Sequence, residues 1–473
     1  MTTAIHVVIL LAILAAGYLL TMKGIPWLFV RLGRLVGFKM KVTPLTQRRI
    51  QRFTAIKRGY WSFVLICTAF VLSLFLELYV NNKALYIRYG DNTKYPAVAD
   101  WLDTVLPFVD FTEGARAVAD QFGLQGKGEV NYRSFAKWVH DPATLGRKAD
   151  EIEAEIVEDQ KEFRETLADA AKKKGAVYDP TTPLPGWKLR QYEAQRTDAG
   201  RYRSLEKEFA HGKASILMPL HPYSASEQLL ELPGAPPHRA LSGNPILPIL
   251  GTDFEGKDVL AQLLYAFRLS FAFAILVAFT GYAIGISVGA IMGYYGGWID
   301  ILVQRFIEVW SSIPFLFTLM ILGSIYRPGF FVLAALLVAL RAWIGITYTI
   351  RGEYYREKAR DYVQAARVLG ARDPKIMSRH IFPNALVPVV TFMPFQIVAF
   401  IGALVSLDFL GFGLPPGTPS WGRLLQQGAD NIANYPELVL FPILALAVTL
   451  FCVVMVGEAV REAFDPKLYS RLR

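Results

Sequence analysis

The sequence predicts an all-α polytopic membrane protein that carries a large insertion outside the bilayer. Of its 473 residues, 53% are hydrophobic and 19% are charged, whereas soluble domains carry about 25% charged residues. Several apolar stretches reach the roughly 20 residues that a helix needs to cross a bilayer. The loops between them carry charges that fit a single orientation of the chain. A disordered chain and a disulfide scaffold are excluded, because the chain is apolar and has two cysteines.

Seven apolar stretches predict seven membrane-spanning helices. The first occupies residues 1–22 and is interpreted as an extra N-terminal span, because the basic segment that opens a signal peptide is missing before it. A cleaved or surface-lying segment is the alternative for this stretch. The second span covers residues 61–80. The other five lie at about 269–293, 301–325, 330–350, 385–410 and 438–460.

The charges of the loops give these spans one orientation. Residues 23–60 contain ten basic and no acidic residues, which places this segment in the cytoplasm by the positive-inside rule. The insertion at residues 81–262 carries 23 basic and 27 acidic residues and is placed on the outer side. The core at residues 263–473 contains the last five spans. Its loop 351–384, with eight basic and four acidic residues, returns to the cytoplasm.

Within the insertion, residues 145–174 predict a charged helix or helix hairpin. Ile152, Ile156, Phe163 and Leu167 recur at helical spacing and form one apolar stripe. Acidic residues come first and a run of lysines closes the segment, as the helix dipole favours. The stripe indicates an arm that packs on the same chain, and docking of a partner outside the cytoplasm is the alternative.

The sequence contains no legible pattern for catalysis or metal binding. Residues 251–258 approach the phosphate-loop pattern G-x-x-x-x-G-K-[ST], but Asp258 stands where that loop needs a magnesium-binding hydroxyl. The six histidines are scattered, so they suggest no metal cluster. The sequence therefore predicts that this chain is not an enzyme and binds no cofactor, metal or nucleic acid.

A row of small residues marks one face of the third predicted span. Gly281, Gly285, Gly289 and Gly293 repeat every four residues, so they lie on the same side of a helix. Such a face lets a second helix approach closely in lipid. It serves either packing within the chain or a surface that slides during transport.

Two ionisable residues, Glu308 and Arg341, lie at apparent membrane depth. Charged groups there are costly and usually face a cavity or each other. They are candidates for a transport pathway, with or without a pair between them.

The cytoplasmic loop predicts a helix that ends in a tight turn. Tyr362, Ala365, Ala366 and Leu369 follow the spacing of one helix face and give it a small apolar ridge. Gly370 can end this helix with a left-handed backbone. An exposed ridge of this kind needs a partner groove.

A second short helix is predicted to follow the turn. Asp373 is expected to cap it, with Pro374 at its first position. Pro383 is expected to end it. The resulting helix–turn–helix predicts a docking element that passes motion from a partner to the membrane helices.

This loop resembles the docking loop of the inner-membrane permeases of ABC importers. Their signature, E-A-A-x3-G-x9-I-x-L-P, is matched at the same spacing by Gln364-Ala365-Ala366, Gly370, His380, Phe382 and Pro383. Gln364 replaces the acidic residue, and His380 stands where many members have isoleucine. The peptide-importing branch commonly has the histidine. We call residues 351–384 the coupling loop.

Other segments are similar to the peptide/nickel branch of that family, its Opp/Dpp C-type permeases, and most similar to the Yej-type subunit linked to peptide and microcin C uptake. These segments are 250–271, 293–300, 406–422 and 457–466. The resemblance covers about 43–140 and 240–473. The first span and residues 141–215 depart from it.

The resemblance implies a type I ABC importer transmembrane fold in the bacterial inner membrane. Six core helices are expected, with the extra N-terminal span and a periplasmic insertion added to them. The implied partners are a homologous second permease, a cytoplasmic ATPase with two domains that hold ATP and magnesium, a periplasmic substrate-binding protein, a peptide substrate and membrane lipid. The residues implied in coupling are Tyr362, Gln364, Ala365, Ala366, Leu369, Gly370, Asp373, Pro374, His380 and Pro383.

Two other classes of function stay open. A membrane-anchored scaffold with a large periplasmic interaction domain is suggested by residues 145–174. An ion-driven secondary transporter would need carboxylates in several spans or an inverted repeat. Glu308 is the clear mid-span acid, so this third hypothesis ranks last.

Overall fold

The computed structural model describes residues 2–24, 44–106, 109–173, 179, 183–240 and 248–464. Half of the basic segment 23–60, the last lysine of the predicted arm and the C-terminal tail lie outside the described residues. The chain divides into two compact units. Met1–Leu74 and Ala225–Arg473 form the first unit, and Phe75–Ser224 forms the second. The second unit is smaller than the predicted insertion, because residues from Ala225 onward pack with the first unit.

Near the start of the first unit, three helices lie in the described residues. They are α1 (Thr2–Leu19, continued by a π-helical turn at Leu20–Gly24), α2 (Pro44–Ala55) and α3 (Lys57–Ser73). Helices α2 and α3 meet at an angle of 93°.

The structure shortens the predicted second span, residues 61–80, because α3 ends at Ser73. Arg268 Nη1 donates a hydrogen bond to the Ser73 carbonyl at 3.2 Å. This bond satisfies one of the carbonyls that a helix leaves open at its C-terminus.

The second unit combines short helices, a small sheet and one long hairpin. Its elements are α4 (Leu76–Tyr79), β1 (Tyr86–Tyr89), β2 (Asn92–Lys94), α5 (Pro96–Val105), α6 (Thr112–Ala115), a 3₁₀ turn (Ala119–Phe122), α7 (Tyr132–His140), α8 (Ala143–Lys173), α9 (Gly186–Ala210) and β3 (Ala214–Leu217). The strands form an antiparallel sheet in the order β2-β1-β3. The all-α prediction missed this sheet. Its central strand places Ile87 in a core with Phe122, Phe135 and Leu145, all fully buried.

Tyr89 and Glu208 form a polar contact beside this core. Tyr89 Oη donates a 2.5 Å hydrogen bond to Glu208 Oε2. Burial, followed by the adjacent Glu208 carboxylate, raises the pKa of Tyr89 to about 12. The same hydrogen bond lowers the pKa of Glu208.

The predicted arm is one side of a helical hairpin. Arg203 on α9 pairs with Asp150 and Glu153 on α8, while Lys188 pairs with Asp159, so the two helices run antiparallel. The apolar stripe faces inward: Ile156 is buried against the same chain, in a cluster with Ile152, Phe163, Leu167, Leu184 and Tyr192. The stripe therefore packs within the chain.

Removal of the buried stripe should loosen this hairpin. We expect Ile156→Ala to destabilise it by about 2–4 kcal/mol, because the lost side chain leaves a cavity. The neighbouring Val157 is 67% exposed, so Val157→Ala is the matched control and should change little. Limited trypsin digestion of the full-length protein, followed by mass spectrometry of cuts within α8 and α9, measures the difference. Equal cleavage of the two variants would contradict the packing.

The secondary structure described in the rest of the first unit is helical. Its elements are α10 (Val259–Tyr295), α11 (Gly297–Ser311), α12 (Phe315–Ile325), α13 (Phe330–Leu337) with a π-helical turn at Val338–Ala342, α14 (Ile344–Lys358), α15 (Asp361–Val368), α16 (Asp373–Lys375) with a π-helical turn at Ile376–Ile381, α17 (Phe382–Phe409), α18 (Trp421–Asp430) and α19 (Glu437–Phe464). Asp258 caps α10, since its Oδ1 accepts a 2.5 Å hydrogen bond from the Ala261 amide.

Among the described residues, three helices are long and apolar enough to cross a membrane, and up to six spans result if each bent pair counts as one. The continuous ones are α10, α19 and the stretch Asp373–Phe409. Two predicted spans are broken in the structure. Helices α11 and α12 meet at 62° around Pro314, and Phe330–Ala342 meets α14 at 46°. Proline disfavours a helical backbone in the residue before it, which explains the first break. Near the N-terminus, Leu11–Gly24 is apolar but shorter than these helices.

Candidate functional site: the coupling loop and its anchors

The first helix of the coupling loop exposes a ridge that differs from the predicted one. Val363 is fully buried and Ala366 is 8% exposed, so Ala366 faces the rest of the chain. Val368 and Leu369 are 87% and 86% exposed. Together with exposed Ala365 they follow the i, i+3, i+4 spacing of one helix face. We call Ala365, Val368 and Leu369 the exposed ridge.

A glycine turn fixes the end of that ridge. Gly370 has a φ of +79°, in the left-handed region that favours glycine. The Leu369 and Gly370 amides donate to the carbonyls of Ala365 and Arg367, at 3.0 Å each. These bonds close the last turn of α15 and leave the Leu369 side chain projecting outward.

The second helix starts one residue away from its predicted cap and does not end where predicted. Arg372, not Asp373, is the N-cap residue of α16, and Pro374 lies in its first turn. The chain continues through the π-helical turn into α17, so Pro383 does not end the helix. Pro383 is tolerated because it directly follows the π-helical turn, where the regular hydrogen-bond pattern of the helix is already interrupted.

Tyr362 anchors the start of α15. Its hydroxyl donates to Glu357 Oε2 at 2.6 Å and accepts from Asn384 Nδ2 at 3.0 Å. Burial, then the Glu357 carboxylate, raises the pKa of Tyr362. Tyr362 was predicted to belong to the docking ridge, and its polar end instead ties α15 to α14 and α17.

The two unusual positions of the signature lie beside these anchors. Gln364 is exposed, and its Nε2 donates to the Lys358 carbonyl at 2.8 Å. The uncharged amide thus binds the chain's own backbone. His380 is half-buried in the π-helical turn, and its carbonyl accepts from Asn384 Nδ2 at 3.4 Å.

A clamp that the sequence analysis missed joins α11 to α14. Asp300 is buried, and Arg351 donates to both its oxygens, from Nε at 2.5 Å and from Nη2 at 2.7 Å. Tyr355 Oη donates to the same carboxylate at 2.8 Å. Bidentate pairs of this kind are the strong, geometrically defined ones.

The four glycines of α10 lie against α14 and the turn before it. A Cβ on Gly285 would lie 2.3 Å from Ile346 Cγ2 and 2.5 Å from the Trp343 carbonyl oxygen. The other three, Gly281, Gly289 and Gly293, meet the same stretch of chain at 2.5–2.6 Å. The face thus packs within the chain.

Glu308 and Arg341 have separate neighbours. Arg305 Nη1 donates to Glu308 Oε2 at 2.5 Å, one turn earlier on the same helix. The guanidinium carbon of Arg341 lies 5.8 Å from the centroid of the Phe315 ring. In the structure, the ion pair of Glu308 is with Arg305. Their role in a pathway stays a prediction.

Comparisons with known proteins decide the family. The family described as "Binding-protein-dependent transport system inner membrane component" matches residues 285–469. The peptidoglycan transport system permease protein YejE of Agrobacterium fabrum C58 is 35% identical over 425 residues, covering 90% of this chain and 94% of the relative. The inner membrane ABC transporter permease protein YejE of Escherichia coli K12 is 32% identical over 426 residues, covering 90% and 98%. The chain belongs to the YejE group of ABC transporter permeases.

Two further similarities concern smaller parts of the permease. The oligopeptide transport system permease protein OppC of Haemophilus influenzae is 36% identical over 217 residues, which cover 46% of this chain and 70% of the relative. Among solved structures, an inward-facing form of the MetNI methionine ABC transporter is 17% identical with a TM-score of 0.35, covering 44% of this chain and 97% of that chain.

The family confirms the predicted class and location. The permease is a multi-pass inner-membrane protein with the fold of ABC permeases. Permeases of this family are transporter components that work with an ATPase and a substrate-binding protein, and they are typically not catalytic themselves.

Two functional candidates of the permease escaped the sequence analysis: Val368 and Asp300. Val368 lies three residues after Ala365, a spacing that could have revealed it. Asp300 follows the pair Gly296-Gly297, both with positive φ, at the turn between α10 and α11. The position of Asp300 just after two glycines at a turn could therefore have marked it as a candidate from the sequence alone. Its partner Arg351, 51 residues away, could not have been found.

Proposed function

We propose that this permease forms the translocation path of an ATP-driven importer for oligopeptides or peptide-like compounds such as microcin C. The observation that carries the proposal is the exposed ridge in a chain that belongs to a transport-permease family. Relatives that bear names for oligopeptide, dipeptide and glutathione transport support the substrate class.

The proposal includes the assembly. The exposed ridge inserts into a groove of a cytoplasmic ATPase, where two nucleotide-binding domains hold ATP and magnesium. A homologous second permease completes the path, a periplasmic binding protein delivers the peptide, and lipid surrounds the apolar helices. This chain binds no nucleotide, metal or nucleic acid of its own and catalyses no reaction. Closure of the ATPase moves the coupling loop and opens the path outward.

The proposed topology follows from loop charge. Residues 1–22 form a retained extra span, residues 351–384 face the cytoplasm, and the insertion 81–262 lies in the periplasm. The hairpin of α8 and α9 covers its own apolar stripe, which weakens the alternative of a scaffold built on that surface. The clear mid-span acid, Glu308, already pairs with Arg305, so a secondary transporter gains no support.

Uptake in reconstituted vesicles tests this function. We expect proteoliposomes with the permease, its co-purified partner subunits and internal ATP to accumulate a radiolabelled tripeptide when the binding protein is added outside. Vesicles loaded with a non-hydrolysable ATP analogue are the control. Accumulation driven by an ion gradient without ATP would contradict the proposal. Purification without any ATPase subunit would favour the scaffold.

A further inference from the structure

Tyr294, at the C-terminal end of α10, contacts both sides of the turn in the coupling loop. Its hydroxyl donates a 2.5 Å hydrogen bond to Asp373 Oδ1, at the start of α16. Arg367 Nη2, in the last turn of α15, donates to the same hydroxyl at 3.4 Å. Gly370 lies between these two loop residues. One phenol therefore holds the two helices on either side of the glycine turn.

The same residue is also tied to the end of α14. Lys358 Nζ donates to the Tyr294 backbone carbonyl, and this ammonium lies 5.4 Å from the centroid of the Tyr294 ring. The guanidinium carbon of Arg367 lies 5.9 Å from the same centroid. Four segments, α10, α14, α15 and α16, thus converge on one side chain.

Tyr294 is tightly packed by the side chains around it. Tyr294 is 2% exposed and is among the largest fully buried side chains described. At the preceding residue, a Cβ on Gly293 would lie 2.6 Å from Tyr354 Cβ, so α10 and α14 touch with no spare room. A hydrogen bond from a hydroxyl to a carboxylate is short and strong.

The position of this contact relates it to the exposed ridge. Val368 and Leu369 directly follow Arg367 in the sequence, and both lie before the glycine turn. Tyr362 fixes the opposite end of α15 through Glu357 and Asn384. Both ends of α15 are therefore attached to neighbouring helices.

We propose that Tyr294 is a positioning residue that transmits movement of the coupling loop to α10 through its hydroxyl. Its ring serves packing, whereas the hydroxyl holds Arg367 and Asp373 in register. The inference rests on the proposed function and deepens it, because it names the link between the docking surface and the longest membrane helix.

Tyr294→Phe tests the hydroxyl alone, since the ring is kept. We measure ATP hydrolysis by the complete importer in nanodiscs, with and without the binding protein and a tripeptide, together with uptake of that tripeptide in proteoliposomes. We expect the ATPase subunits to co-purify at the wild-type ratio, while stimulation by the loaded binding protein falls about tenfold, as loss of a charge-assisted hydrogen bond would allow. Tyr295→Phe is the matched control on an exposed neighbouring phenol and should behave as wild type.

A second variant tests the same link from the loop side. Asp373→Ala changes an exposed residue, so the protein should fold; it removes the acceptor of the Tyr294 hydroxyl and should reduce stimulation in the same way. The double variant should be no worse than either single one, because all three remove one interaction. Full stimulation in both single variants would overturn the inference. Loss of ATPase co-purification would also overturn it, because the hydroxyl would then form part of the docking surface itself. Failure of the wild-type importer to respond to the binding protein would instead contradict the proposed function.

Discussion

The double variant Val368→Asp/Leu369→Asp should abolish assembly of the permease with its ATPase and reduce uptake at least about a hundredfold. Both side chains are almost fully exposed in the isolated chain, at 87% and 86%. Burial of each in a partner groove would contribute about 1.5–3 kcal/mol. The substitution removes that gain and adds two charges that the groove must desolvate, and each 1.4 kcal/mol changes affinity about tenfold.

The measurement is co-purification of the ATPase with tagged permease, followed by tripeptide uptake. Val157→Asp provides the matched control, because Val157 is also largely exposed but lies on α8 in the second unit. This control should retain both assembly and transport. If the double variant kept its ATPase at the wild-type ratio, the exposed ridge would not be the docking surface.

Gly285→Leu should prevent α10 from packing on α14 and remove most of the folded permease. A single Cβ at this position already meets Ile346 Cγ2 at 2.3 Å and the Trp343 carbonyl oxygen at 2.5 Å. The second of these is backbone, so the neighbouring helix must move as a whole. Overpacking of this kind typically costs about 1–3 kcal/mol, and more where backbone must shift.

Fluorescence-detected size-exclusion chromatography of membranes from expressing cells measures the yield of folded permease. Gly402→Ala is the control, because Gly402 also lies in a long apolar helix but has open space around its Cβ position. We expect the control to match wild type or exceed it slightly, since alanine favours a helix. A normal yield for Gly285→Leu would show that the two helices separate more easily than their spacing indicates.

The features that follow from local chemistry were predictable from the sequence. Gly370 ends its helix with a positive φ because glycine alone adopts that backbone without strain. The apolar stripe around Ile156 lies on one side because helical spacing dictates it. The spans of α10 and α19 stand out because their apolar stretches are long and continuous.

Features that depend on the neighbours of a residue could not be read in this way. Ala366 and Leu369 belong to the same apolar pattern, yet the first faces the chain and the second faces outward. Pro383 is a helix breaker in isolation, but a π-helical turn lets the helix continue through it. The nearest cation to Glu308 was on its own helix rather than at Arg341. The strands around Ile87 are too short to produce a clear alternating pattern.

The exposed ridge has a consequence for biosynthesis. Val368 and Leu369 are adjacent branched aliphatic side chains in contact with water. A copy of this subunit that has not assembled with its ATPase is therefore prone to aggregate with other chains. A cell therefore benefits from making this subunit and its ATPase in matched amounts, so that the exposed ridge of each newly inserted copy is quickly buried. Overexpression of this subunit alone should therefore give poorer material than co-expression with its ATPase.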